Sequence, residues 1–202
     1  MEESILEIQK LMLDASDPSR KPISLHLKNG SIACLLGNAG SGKTSVLKAV
    51  LGTAGFSDGM IEKPAMEEIA FIGERCIFPY SWTPETAGRV LESYYPTWDQ
   101  DAYHRLLAQL EVPGNKPVYT FTRDEVLSLM LAAALSRKAR LLLADEPLAG
   151  LSRERAEIVL NLLLAFRDQG GAILYGARVP LELEGHTDMT CNLNAKEATH
   201  DA

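Results

Sequence analysis

Cysteine is scarce in this sequence. Cys34, Cys76 and Cys191 are scattered over 202 residues with none of the short spacings that build a metal site, which points to a reducing compartment. Long apolar runs are missing too. None approaches the roughly 20 residues that cross a bilayer, so no membrane-spanning helix is expected. Positive charge is in deficit, with 20 Lys and Arg against 27 Asp and Glu, and the net charge of −7 disfavours non-specific binding to nucleic acid. The opening MEESILEIQK lacks the basic start and small-residue cleavage site of a secretory signal. The expectation is a cytoplasmic chain with no nucleic-acid partner. What is present is ordinary for a globular protein: 46% hydrophobic and 23% charged residues, in a length that suits one domain over 1–202.

SILEIQKLML and KPISLHLKNG read as short strands, the second alternating Ile23, Leu25 and Leu27 with polar neighbours. The unbroken apolar run SIACLLG suits a strand buried on both faces. KTSVLKAVLG has helical spacing and stops at Gly52, and IAFIG reads as a further strand. From Thr83, an N-cap candidate followed by Pro84, to about Arg140 the spacing is helical. RLLLADEP returns to strand, RERAEIVLNLLLAFRDQGG to helix and GAILYG to strand. These alternations predict an α/β fold with a mostly parallel core sheet drawn from 1–82 and 141–192. Short antiparallel strands precede it, a helical insert interrupts it over 83–140, and a polar tail covers 193–202.

Two motifs carry chemistry. Gly37-Asn38-Ala39-Gly40-Ser41-Gly42-Lys43-Thr44-Ser45 fits the phosphate-binding loop and lies between a predicted strand and a predicted helix. Glycines let backbone N–H groups curl around phosphate oxygens, and the helix start adds positive potential. Lys43 would reach the β- and γ-phosphates, and the Thr44 hydroxyl would bind Mg²⁺. The second motif, LLLADEP, sets Asp145 and Glu146 at the end of an apolar strand. Asp145 could hold Mg²⁺ through water, and Glu146 could orient or deprotonate an attacking water. Taken alone, the pair could also be the acidic start of a helix, the lesser of the two readings.

The Gly37–Thr44 loop, the helical insert, DEP and AGL together resemble the ATP-binding subunit of an ABC transporter, a P-loop NTPase, over essentially the whole chain. FIGE and YYPTWDQDAYHRLLAQLEVP further resemble bacterial exporter ATPases of the multidrug and antimicrobial-peptide type. The resemblance implies ATP and Mg²⁺ as ligands, residues 37–45 as phosphate contacts and Glu146 as the base. Thr44, Asp145 and Glu74 (the last where the family has a glutamine) would serve the metal. It also implies a separate membrane-spanning subunit, docked on the insert around CIFPYSW, and a homodimer or a heterodimer with a second ATPase subunit. Assembled, the chain would sit at the inner face of the membrane.

The departures from the family pattern are specific. The family stacks adenine on an aromatic residue before the loop, yet none precedes Phe56. Glu74 could also be a plain exposed loop acid. Ser152 replaces an aspartate in AGLS, and Arg178 stands where a switch histidine is expected; His186 reads as a surface residue. Arg178 could touch a γ-phosphate as a charge but cannot relay a proton as a neutral ring does. The family's signature is replaced by FTRDEV. At about 4 Å and an effective dielectric of about 20, a carboxylate against phosphate costs about 4 kcal/mol. A hydrogen bond to a charged group returns only about 1.5–3 kcal/mol. Thr122-x-x-Glu125 is instead a capping box that starts an apolar helix. Weak hydrolysis by the lone chain is the expectation. A soluble ATP-dependent regulator that transports nothing is the rival reading.

Overall fold

The computed structural model describes residues 4–14, 21–178 and 184–194. In chain order its elements are β1 (Ser4–Met12), β2 (Ile23–Lys28), β3 (Ile32–Leu36), α1 (Lys43–Leu51), β4 (Asp58–Glu62), β5 (Ile69–Ile72), α2 (Pro84–Tyr94), α3 (Gln100–Gln109), α4 (Arg123–Leu135), β6 (Leu141–Asp145), α5 (Arg153–Asp168), β7 (Ala172–Ala177) and β8 (Met189–Asn192). Five strands form a parallel sheet in the order β5-β6-β7-β3-β8, and β2-β1-β4 form a smaller antiparallel sheet. The α/β class, the parallel core and the antiparallel N-terminal strands agree with the reading of the sequence.

The parallel sheet is apolar on both faces, and strand alternation sends its side chains into two cores. Ile32, Cys34, Leu142, Ala144, Ile173 and Tyr175 join the core under α2–α5. Their neighbours Ala33, Leu35, Leu141, Leu143 and Leu174 face α1 (Val46, Leu47, Val50) and the small sheet (Leu6, Ile8, Leu25, Leu27). Each fully buried Leu or Ile contributes about 1.5–3 kcal/mol, and the central strands hold many of them.

Three helices of the predicted insert lie between β5 and β6. α2 starts at Thr83, whose side chain accepts from the Thr86 N–H, with Pro84 at its first position. α4 is apolar all round because it packs on β5 and against α2 and α3. Tyr103, fully buried on α3, donates its hydroxyl hydrogen to Pro84 O at 2.9 Å and ties α3 to the start of α2.

Two strands lie outside the elements read from the sequence. β4 (DGMIE) is exposed at four of its five positions and exists by pairing with β1, Ile61 opposite Ile8. β8 (MTCN) has no buried residue and is held as an edge strand beside β3, with Thr190 opposite Cys34. Neither has enough apolar alternation to announce itself. The polar tail expected over 193–202 lies outside the described residues from 195 onward.

Candidate phosphate-binding site

The order of the parallel strands decides where the site forms. β3 and β6 flank β7, so the segments leaving their carboxyl ends converge. β3 leads into the glycine loop, β6 ends at Asp145, and β7 is followed by Arg178. Backbone hydrogen bonds lock the three exits together. The Gly37 N–H donates to Ala177 O and the Glu146 N–H to Gly176 O, both at 3.0 Å. A crevice outside the carboxyl ends of parallel strands is where open α/β sheets bind ligands.

The loop closes through a turn from Ser41 N–H to Asn38 O (3.1 Å) and enters α1 at Gly42. Gly42 has φ 102°, a left-handed conformation that other residues resist, and it gives α1 no side-chain cap. Gly37 is needed for space, since a Cβ there would run into the Ser41 side chain. Lys43 is only 5% exposed. Its ammonium donates to Gly37 O at 2.6 Å and Asn38 O at 3.1 Å, and lies 3.7 Å from Glu146 Oε1.

The second motif comes into direct contact with the first. Thr44 Oγ1 donates to Asp145 Oδ2 at 2.6 Å across 101 residues of sequence, and Asp145 is buried. Glu146 has φ 51°, which turns it out of the strand line into a region costly for a residue with a Cβ. Its Oε1 accepts from Arg178 Nε at 2.7 Å. That ion pair, helped by the charges of Glu74 and Asp145, holds the Arg178 guanidinium above its ordinary range. Glu74 is exposed and lines a cavity of about 260 Å³ together with Arg75, Tyr80, Arg123, Asp145 and Glu146.

Asn38, Ala39 and Gly40 are exposed on the loop, and Thr44 and Ser45 are exposed at the start of α1. A hydroxyl and a carboxylate at hydrogen-bond distance beside the loop are hard oxygens, a donor set that suits Mg²⁺, an ion satisfied by one or two protein ligands. Among the described residues no cluster of three His, Cys, Asp or Glu could hold a metal by itself.

The remaining sequence expectations have clear positions. Thr122 Oγ1 accepts from the Glu125 N–H at 3.3 Å, and Glu125 Oε2 accepts from the Thr122 N–H at 2.7 Å, so the capping box is formed. Ser152 caps α5 by accepting from the Arg155 N–H. His186 lies in an exposed turn. Two features went unread in the sequence. One is the Arg178–Glu146 pair. The other is Gly176, where a Cβ would come 3.2 Å from Asp145 Oδ1 and 3.4 Å from Lys43 Cβ. A glycine inside the apolar strand GAILYGA was the available signal for that close approach.

Comparison with known proteins agrees with this geometry. Residues 20–149, more than half of the chain, match the sequence profile described as ABC transporter. An uncharacterized ABC transporter ATP-binding protein of Synechocystis sp. is 24% identical over 181 residues, covering 82% of this chain and 51% of that protein. Zinc import ATP-binding protein ZnuC 1 of Hahella chejuensis is 26% identical over 172 residues, covering 84% and 66%. The chain thus spans between half and two thirds of the length of these curated relatives. Among solved structures, an ABC transporter ATP-binding protein from Pyrococcus furiosus superposes with a TM-score of 0.80 at 22% identity, over 95% of this chain and 98% of that one. The profile match, on a chain whose sheet order brings the glycine loop and the strand-end acids into contact, makes this protein a member of the ABC transporter family.

Proposed function

We propose that the chain is a single ATP-binding unit that serves as the nucleotide-binding subunit of a transporter and hydrolyses ATP slowly. The observation that carries this reading is the contact of Lys43 and Thr44 with Glu146 and Asp145 at the ends of β3 and β6. In it, residues 37–45 hold the phosphates, and Lys43 neutralises the β- and γ-phosphate charge. Thr44 and Asp145 would hold Mg²⁺, with Glu74 across the cavity as a further oxygen; the ion would neutralise charge that develops on the transferred phosphoryl group. Glu146 is the base for the attacking water.

Two features support slow turnover. Arg178 stays charged and cannot shuttle a proton. The start of α4, which the family uses to close on the nucleotide of a second subunit, has its Thr122 and Glu125 N–H groups taken up by the capping box and carries two carboxylates in its first turn.

Partners follow from the same reading. A membrane-spanning partner is the one the family membership implies, and among the described residues no helix is long and apolar enough to cross a membrane. The exposed Ile77, Tyr80 and Tyr119 on the insert side are its docking surface. A second ATPase subunit with a complete signature and histidine would complete the machine at the inner face of the membrane. The export direction rests on the stretch from FIGE to EVP alone, while the Hahella chejuensis relative is named for import.

Steady-state phosphate release by the purified chain, alone and beside a neighbouring ATPase subunit, tests the reading. Slow release by the lone chain, accelerated by the second subunit and abolished by Glu146→Gln, is expected. Several turnovers per second from the lone chain would contradict it, and failure to co-purify with any membrane protein would favour a soluble regulator. GTP should compete with ATP within about tenfold, since no aromatic precedes Phe56 and base stacking is worth about 1–3 kcal/mol by analogy with nucleic-acid sites. A hundredfold preference for ATP would assign that role to another residue.

A further inference from the structure

The edge strand β8 reaches the phosphate loop. Its pairing with β3 ends at Asn192 opposite Leu36, and the Leu193 N–H extends it by donating to Leu36 O at 2.8 Å. The chain then turns, because the Asn194 N–H donates to Asn192 Oδ1 at 2.9 Å, an Asx turn of the kind asparagine favours. That turn sets Asn194 Oδ1 against the loop, where it accepts from the Asn38 N–H at 2.9 Å across 156 residues of sequence. Leu193 lies alongside, with its Cβ 3.3 Å from where a Cβ on Gly37 would stand.

The Asn38 N–H and the Gly37 carbonyl belong to one peptide unit, which is planar, so neither can rotate without the other. Gly37 O is the acceptor 2.6 Å from Lys43 Nζ. A single rigid plane therefore joins Asn194 on one side to Lys43 on the other. The Gly37 N–H, one peptide earlier, is bonded to Ala177 O of the buried strand β7. The Gly37–Asn38 plane has its N–H on one exposed side chain instead. Glycine resists rotation of that plane less than any other residue.

We propose that Asn194 is a positioning residue for nucleotide: it pins the Gly37–Asn38 peptide, and through it the acceptor that holds the Lys43 ammonium in the loop. The inference rests on the ATP reading above. Without Asn194 the peptide turns its N–H toward water and carries Gly37 O away from Lys43. Nucleotide must then order the loop as it binds, a cost that comes out of its affinity. Lys43 serves the β-phosphate that ADP and ATP share, so both lose alike.

The test is calorimetric affinity of the full chain for ADP and for the β,γ-imido analogue of ATP, with melting temperatures of the nucleotide-free proteins. Asn194→Ala should weaken both ligands about three- to fivefold, the size of one exposed hydrogen bond, and shift the melting temperature by less than about 2 °C. Asn194→Asp keeps an oxygen acceptor and adds a charge that salt screens, so in 0.5 M salt, about a 4 Å screening length, it should bind within about twofold of wild type. Asn192→Ala, which loosens the turn, should give a smaller loss of the same kind. Wild-type affinity in Asn194→Ala would sink the inference, and so would an Asp variant as weak as the Ala variant in high salt. Weaker binding with a melting temperature lowered by more than about 4 °C would assign Asn194 to the fold and not to the loop. If wild type binds both ligands and Asn194→Ala binds them equally well, this inference alone falls; if wild type binds neither, the ATP reading falls with it.

Discussion

α1 and α4 begin with the same physical resource and use it in opposite ways. The first turn of any helix has backbone N–H groups without intrahelical partners and carries a partial positive charge. α1 starts at Gly42, has no side-chain cap and no acid in its first turn, and places Lys43 at its first position. α4 starts at Thr122, closes a capping box with Glu125 and adds Asp124. One start keeps its positive potential for an outside anion, and the other cancels it with its own carboxylates. Helix starts are common and phosphate sites are rare because most helices follow the course of α4. A site requires that the sequence decline to cap, and glycine at the N-cap is how α1 declines.

The contrast can be broken hardest at Lys43. Lys43→Ala should weaken Mg·ATP at least about 100-fold by calorimetry, the loss of one or two hydrogen bonds to a charged group. Equal affinity in wild type and variant would move the phosphate site away from α1.

A gentler variant makes α1 resemble α4. Gly42→Asp puts a carboxylate at the helix start, and Gly42→Ala supplies the matching backbone strain without the charge. Nucleotide should bind about tenfold more weakly to the Asp variant than to the Ala variant, from like-charge repulsion. If the two bind equally, geometry rather than potential makes the α1 site.

The smallest effect is expected at α4. Glu125→Ala opens the capping box, which should cost about 1 kcal/mol. In a chain of this size that lowers the melting temperature by about 2–4 °C. Nucleotide affinity of the lone chain should stay within about twofold, since the Glu125 carboxylate is bonded to the Thr122 N–H and not to residues of the phosphate loop. An unchanged melting temperature together with tighter nucleotide binding would show that α4 serves ATP after all.

The parts of this contrast differ in how far they could be read from residues alone. Glycine spacing, the apolar run of β3 and the helical period after Lys43 lie within a few residues of one another, so the loop announced itself. The capping box was equally plain, because Thr122 and Glu125 are three residues apart and meet whenever a helix forms between them. β4 and β8 were invisible for the converse reason: their polar sequences carry no pattern, and they are strands only because β1 and β3 offer free edges. The role of Arg178 was half legible. Its position after the last core strand suggested a phosphate contact, and nothing local pointed to Glu146 as its partner.

The sequence by itself determined the phosphate loop, the uncapped start of α1, the capped start of α4 and the two-faced burial of the central strands. Each depends on backbone preference or side-chain period over less than about four turns of helix or a single strand. Only the tertiary structure decided that Thr44 meets Asp145 across 101 residues and that Glu146 meets Arg178 across 32. Those pairings follow from the strand order β6-β7-β3 and from the registers that bring Gly176 beside Asp145 and Ala177 beside Leu36. Strand order is set by which apolar faces can be covered together, a property of the whole chain. No short stretch of it encodes that the strand-end glutamate of one motif will rest between the lysine of another and an arginine of a third.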